Sequence, residues 1–462
     1  MIRNYLEIAH RAETGPRVEK ADWDFEYIVE MTQEVVDKYQ LSWNVEQLTP
    51  DDPDLADRVF YAGRDLVIKT GVYALSSGRI IQLEAAEVDE GIHGMRTDLV
   101  MGEGKDARTL FARDIMDPRL PLVWAGNPGA PIPERLFIPS VRSWAQEPIV
   151  DLITCGSLVE VDGYPVKSAD VSEIFAVKRE LAYLRQCRQM VGRPGMGMLA
   201  AQSSVSEIGD LAAAHPDYLR PCDAHLVAMF NELMIDRGNM IRAAHSESYR
   251  MRNASLACVM VGGLGGDAPG AAVVQVASFL AANIVCRADY HLCHPIHINH
   301  VATSTRGCMW LQSVVCQAFA RNAPAIIVCD IYPKSGALTK ELLYEVAANT
   351  LAITVSGGHL EGVGSADGNA PNGTGLEVRL MGEVGHAAAR QGMTLADANR
   401  MINALLAKYE FVFDKSGGNP GHCIDSAYDL EKMAPVPEWQ RMYDEVIDEL
   451  VELGLEITPV TP

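Results

Sequence analysis

The sequence predicts an α/β protein: a TIM (β/α)8 barrel with an N-terminal helical and small-strand extension and extra C-terminal helices. Three observations carry this. From Pro121 onward, short β-rich apolar runs alternate with helix-length segments. Each parallel return needs a crossover, which a helix supplies, so the alternation implies a parallel sheet. The length of 462 residues suits one barrel with terminal additions, or two α/β domains. The glycine fingerprint of a dinucleotide fold is missing, which counts against an open, doubly wound sheet.

Residues 1–118 read as the extension, with helical periods around Phe25–Tyr39 and Leu55–Leu75. Between Arg79 and Ile115, alternating pieces and the turn MGEGKD predict small strands and loops covering one end of the main domain. Residues 119–462 read as the barrel with its C-terminal helices. The expected strands are Leu122–Ala125, Val150–Cys155, Gly195–Ala200, Asp223–Ala228, Leu256–Val261, His291–Ile298, Ala325–Ile331 and Ile353–Glu361. The expected helices between them include Val171–Met190, Asn239–Ala244, Ala271–Cys286, Thr305–Arg321 and Thr339–Thr350, most starting near a capping residue: Ser172, Asp236, Thr305 or Thr339. Further helices are expected over 376–414 and 439–454.

The net charge of −22 and the lack of any long Lys/Arg run exclude a nucleic-acid binder. Acidity of this kind serves solubility and a solvated outer helix ring. The 10 cysteines are scattered, with no Cys-x-x-Cys pair, and several lie in apolar runs, so reduced thiols in a cytoplasmic protein are expected. The start, MIRNYLEIAHRAETG, has no apolar signal-peptide core. The longest apolar helix candidate, Gly270 to Cys286, is too short to span a bilayer, so no membrane role is expected.

In such a barrel, function sits where strands end and βα loops begin. GRPGMGMLAAQSS (192–204) carries tight glycines, for which barrel packing is the favoured reading. VGGLGGDAPGAA (261–272) is a glycine-rich strand-to-helix turn without a Walker lysine, so it reads as a mouth loop rather than a nucleotide site. HLCHPIHINH (291–300) carries five donors; strand alternation places His291, Cys293 and His297 on one face and His294 and His300 on the other. Trp124, Asp330, Tyr332 and His359 also fall near expected strand ends.

The segments PLVWAGNPGAPI (121–132), GRPGMG (192–197), CDAHLVAMFNELMID (222–236), VGGLGG (261–266), TSTR (303–306) and TGLEVRLMGEV (374–384) together resemble the monomethylamine:corrinoid methyltransferases, over most of the chain. The resemblance implies a TIM barrel that forms homo-oligomers and acts on a small methylated substrate. It implies a corrinoid (cobalamin) carried by a separate corrinoid protein that docks at the barrel mouth, and no tightly bound cofactor in this chain. It also implies departures. Leu199 stands where the family carries pyrrolysine, Leu226 and Leu256 stand for family glutamates, and Asp330 stands for a family glutamine, two residues before Tyr332.

Leucine has no electrophile, so capture of methylamine at position 199 is chemically closed. Loss of the glutamates removes groups that would handle the amine's protons. The expectation is therefore a changed donor, a quaternary amine or similar cation, which leaves as a neutral molecule once its methyl is taken. Asp330 is the candidate catalytic residue, pairing with the cation. Trp124 and Tyr332 are expected to face it through cation–π contacts, with Leu199, Leu226, Leu256 and His297 lining the site. Two alternatives stand beside this: zinc-dependent transfer using His291, Cys293 and His297, and a catalytically silent relative that binds a ligand or a corrinoid protein.

Overall fold

The structure, a computed structural model, describes residues 5–364 and 371–458. Eight parallel strands close into a barrel in sequence order: β1 Val123–Ala125, β2 Leu152–Thr154, β3 Gly197–Leu199, β4 Ala224–Met229, β5 Arg252–Ala257, β6 Tyr290–Cys293, β7 Ile327–Ile331 and β8 His359–Gly362. Each pairs with the next, and β8 returns to β1. The crossover helices are α1 Glu134–Ala145, α2 Val171–Met190, α3 Glu207–Ala213, α4 Arg237–Tyr249, α5 Ala268–Val285, α6 Arg306–Asn322 and α7 Lys340–Ser356; α8 Gly375–Arg390 follows β8. Asp236, Thr305 and Thr339 cap α4, α6 and α7 as the sequence predicts, each accepting a backbone N–H at the helix start. Helix α2 is capped by Asp170 rather than Ser172, which lies inside it.

Three strands differ from the expectation. Strand β5 starts at Arg252, because the apolar run leaves the barrel after Ala257. Its end, Met260–Val261, pairs instead with Ile296–His297. The expected single strand through His291–Ile298 is split at Pro295, which has no N–H for a ladder. Residues 353–356 extend α7, which stops at Gly357 in the left-handed region (φ 101°), leaving β8 only His359–Gly362.

The N-terminal extension closes the barrel at the amino ends of its strands. The hairpin of Asp98–Met101 and Arg108–Phe111 packs Leu99, Met101 and Leu110 into the same apolar cluster as Trp124, Leu152, Leu199 and Tyr290. Its turn meets GRPGMG directly: Glu103 N–H donates to Gly195 O at 2.8 Å, and a Cβ at Gly195 would stand 2.2 Å from Glu103 O. These glycines therefore serve barrel packing, at the closed end. Helix α5 is apolar all round because the helix Pro53–Thr70 covers its outer side, where a Cβ at Gly63 would lie 2.5 Å from Val276 Cγ1. It is the one described helix long and apolar enough to cross a membrane, and 89% of it is buried within the protein.

Candidate active site

Side chains alternate along each strand, so every second residue enters the barrel. Leu152, Leu199, Ala224, Ala254, Tyr290, Leu292, Ile326 and Val328 fill the interior. One step further toward the carboxyl ends, the same parity brings in Thr154, Leu226, Leu256, Asp330 and Glu361. Register then fixes neighbours. Ala257 lies beside Cys293 and Cys293 beside Cys329, so the following residues, Cys258, His294 and Asp330, succeed one another around the mouth. Asp330 lies beside Glu361, and Glu361 beside Trp124.

The mouth has two halves. On β3, β4 and β5 it is apolar: Leu199 is buried, and Leu226 and Leu256 are half-buried. On β6, β7 and β8 it is polar. His294 Nδ1 lies 2.9 Å from Asp330 Oδ2, and the Tyr332 ring packs 4.9 Å from the His294 ring. Tyr332 is anchored by its hydroxyl, which donates to Pro128 O at 3.2 Å, and by its N–H, which donates to Thr303 Oγ1 at 2.8 Å. Behind the strand, Gln312 Nε2 donates to Asp330 O at 2.9 Å, and Asn349 Nδ2 donates to Gln312 Oε1 at 3.0 Å. This buried chain from α6 and α7 fixes the backbone that presents Asp330.

Tyr290 Oη and Trp124 Nε1 are buried without a hydrogen-bond partner among the described residues, and the Glu361 carboxyl has only Asp330 and Thr154 as side-chain hydrogen-bond neighbours, as His294 has Asp330 and Cys258. Interior polar atoms are paired as a rule, so their concentration here marks a place prepared for a polar or charged guest. Charge is arranged to match. Burial opposes protonation of His294, but Cys258 and Asp330 hold its pKa well above the ordinary imidazole value. Burial, then the neighbouring Asp330 charge, push the Glu361 carboxyl well above the usual carboxylate range. These neighbours favour the protonated ring at His294 and the neutral acid at Glu361.

The structure brings Asp330, Tyr332, Leu199, Leu226 and Leu256 to this mouth. Trp124 is fully buried and forms its floor, against Tyr290 at 6.2 Å and His359 at 6.1 Å between ring centroids. His297 is elsewhere: it stacks on His300 at 4.5 Å in an outer cleft of about 360 Å³ with Trp43, Asp267, Arg306 and Phe413. The zinc candidates do not converge. His291 and Cys293 face outward into the helix layer, with His291 Nδ1 2.8 Å from Ser255 Oγ and its ring 4.8 Å from Phe279. Among the described residues no three His, Cys, Asp or Glu side chains are grouped as a metal site. His359 stands at the amino end of β8, where Nδ1 accepts from Leu122 N–H at 3.0 Å and Nε2 contacts Phe111 O at 2.7 Å. A cavity of about 690 Å³ also lies at that end, lined by residues that include His93, Arg96, Arg252 and Asp289.

Sequence reasoning left His294, Thr154 and Glu361 unused. The usable signal was parity: His294 lies two residues past Leu292 on one strand face, as Asp330 does past Val328.

The outward and floor histidines set a pH limit. Burial pushes His291 and His359 down to about 3. Unfolded histidine takes a proton near pH 6.5, so the stability these groups contribute is present above that value and is lost as pH falls from about 6.5 toward 3. Urea midpoints measured across that window are expected to fall steadily, and His359→Gln to flatten the slope. A midpoint independent of pH there would contradict this.

Comparison with known proteins agrees with the architecture. The family model described as "Monomethylamine methyltransferase MtmB" matches residues 4–455. Monomethylamine methyltransferase MtmB2 of Methanosarcina acetivorans and MtmB of Methanosarcina mazei are each 30% identical over 447 residues, 96% of this chain and 96% of theirs. The crystal structure of the Methanosarcina barkeri monomethylamine methyltransferase (MtmB) superposes with a TM-score of 0.95 at 29% identity, covering 98% of this chain and 100% of that one. A crystal structure of a hydroxylamine MtmB complex matches equally well. The chain belongs to the monomethylamine methyltransferase MtmB family.

Proposed function

We propose that this protein is a methyltransferase that takes a methyl group from a small methylated cation, a quaternary ammonium or sulfonium compound, and passes it to a corrinoid protein. The observation that supports it best is the divided mouth: Asp330 with His294 and Tyr332 on one side, and the apolar Leu199, Leu226 and Leu256 on the other. With leucine at position 199, the wall offers no electrophile to capture an amine. It offers a dry surface for methyl groups, a carboxylate for the positive charge and an aromatic ring beside it. The corrinoid, carried by the partner, supplies a Co(I) nucleophile.

The chain's own task is then orientation and desolvation. The bond between the methyl carbon and the onium atom breaks, and its electron pair stays on the leaving amine or sulfide, which departs neutral. No proton has to be delivered to it, which accords with leucine at positions 226 and 256. The partner's approach is accommodated by an apolar rim. Val205, Phe230, Met260, Ile298 and Val301 are all exposed on loops following β3, β4, β5 and β6, a surface suited to burial by another protein. In this reading the protein is a cytoplasmic homo-oligomer.

Tetramethylammonium titrated calorimetrically into the protein is expected to bind, and methylammonium, with a single methyl group for the apolar wall, to bind more weakly. Tyr332→Ala is expected to weaken the cation about fivefold to tenfold, the worth of one aromatic face; Tyr332→Phe keeps the ring and most of the affinity. Equal affinity in all three proteins would remove the aromatic ring from the site.

A further inference from the structure

We infer that Glu361 is the second carboxylate of the cation site, and that a substrate cation enters by displacing its proton. This rests on the reading of the mouth as a cation site. Glu361 is 1% exposed, pairs in register with Asp330 on β7 and with Trp124 on β1, and has Asp330 and Thr154 as its side-chain hydrogen-bond neighbours. The groups that act on it are Asp330, His294 and Thr154, and it acts in turn on Tyr290. Tyr290 Oη and Trp124 Nε1 are buried nearby without a hydrogen-bond partner among the described residues.

The charge balance follows from these neighbours. His294 already compensates Asp330 at 2.9 Å. A second ionised carboxylate beside that pair would be a buried like charge without a counter-ion, so Glu361 holds a proton. A quaternary cation carries a charge it cannot shed. When it enters, ionisation of Glu361 restores neutrality: two carboxylates face the imidazolium and the guest. The proton leaves to solvent, and no bond to the substrate is made or broken. The same exchange gives selectivity, because a neutral methylated compound provides nothing to stabilise the second carboxylate.

The test is calorimetric titration of tetramethylammonium chloride and trimethylsulfonium chloride into the wild-type protein, in phosphate and in Tris at the same pH. The difference in apparent heat between the two buffers counts protons. About one proton is expected to be released per cation bound, with affinity rising up to about tenfold per pH unit while Glu361 is protonated in the free protein. Glu361→Gln keeps the shape and neutrality of the acid. It is expected to bind the cations about tenfold more weakly, without proton release and without the pH dependence. Cation binding to the wild type with no proton released, or release unchanged in Glu361→Gln, would overturn the assignment of Glu361 while leaving the cation site standing. Failure of the wild type to bind either cation would overturn both.

Discussion

Asp330→Asn is expected to lower kcat/KM for a cationic donor about 10²- to 10³-fold, the usual loss when one member of a buried charge pair is removed. Two effects follow. The guest loses the negative charge of the Asp330 carboxylate, which dominates. His294 loses the counter-ion at 2.9 Å that helps hold its proton against burial, so its pKa falls, which removes a positive charge from beside the guest and offsets only part of the loss. Two measurements check this: steady-state transfer with saturating corrinoid acceptor, and an NMR titration of the His294 ring. Unchanged turnover of every accepted cation would remove Asp330 from the site. A retained high His294 pKa would show that Cys258 alone sustains the imidazolium.

Gly195→Ala carries a large expected effect on stability. A Cβ there would meet Glu103 O at 2.2 Å, a backbone atom in a hydrogen-bonded turn that does not move cheaply. A loss of about 2–3 kcal/mol is expected from this overpacking, read as a lower urea midpoint at an unchanged slope. The site is built on the far ends of the strands, so kcat of the folded fraction should be nearly unaffected. A midpoint equal to wild type would mean that the hairpin of Asp98–Met101 and Arg108–Phe111 is not a firm closure of the barrel.

The barrel was legible because its rhythm is written in apolar runs, and the caps at Asp236, Thr305 and Thr339 fixed where three helices begin. Strand ends were less legible, since an apolar run such as SLACVMV continues past the barrel into a second pairing that only the tertiary fold selects. Alternation in HLCHPIHINH correctly separated His291 and Cys293 from His294. It did not say which face is the interior, and the zinc reading chose the outward one. His297 misled for a related reason: Pro295 ends the ladder, so parity counted through it has no meaning. Glu361 went unused because its strand is four residues long and follows directly on a buried helix. The coupling of Asp330, His294 and Glu361 across three strands depends on register, which no single strand's sequence contains.

We propose that leucine at position 199 accompanies a donor needing neither capture nor protonation. The most direct test mixes the pure protein with a reduced corrinoid protein and, separately, monomethylamine, a betaine, tetramethylammonium, trimethylsulfonium and methanol, while following the cobalt absorption spectrum. Methylated corrinoid is expected with at least one of the quaternary or sulfonium donors and with neither monomethylamine nor methanol. Methylation from monomethylamine would contradict the account at its root.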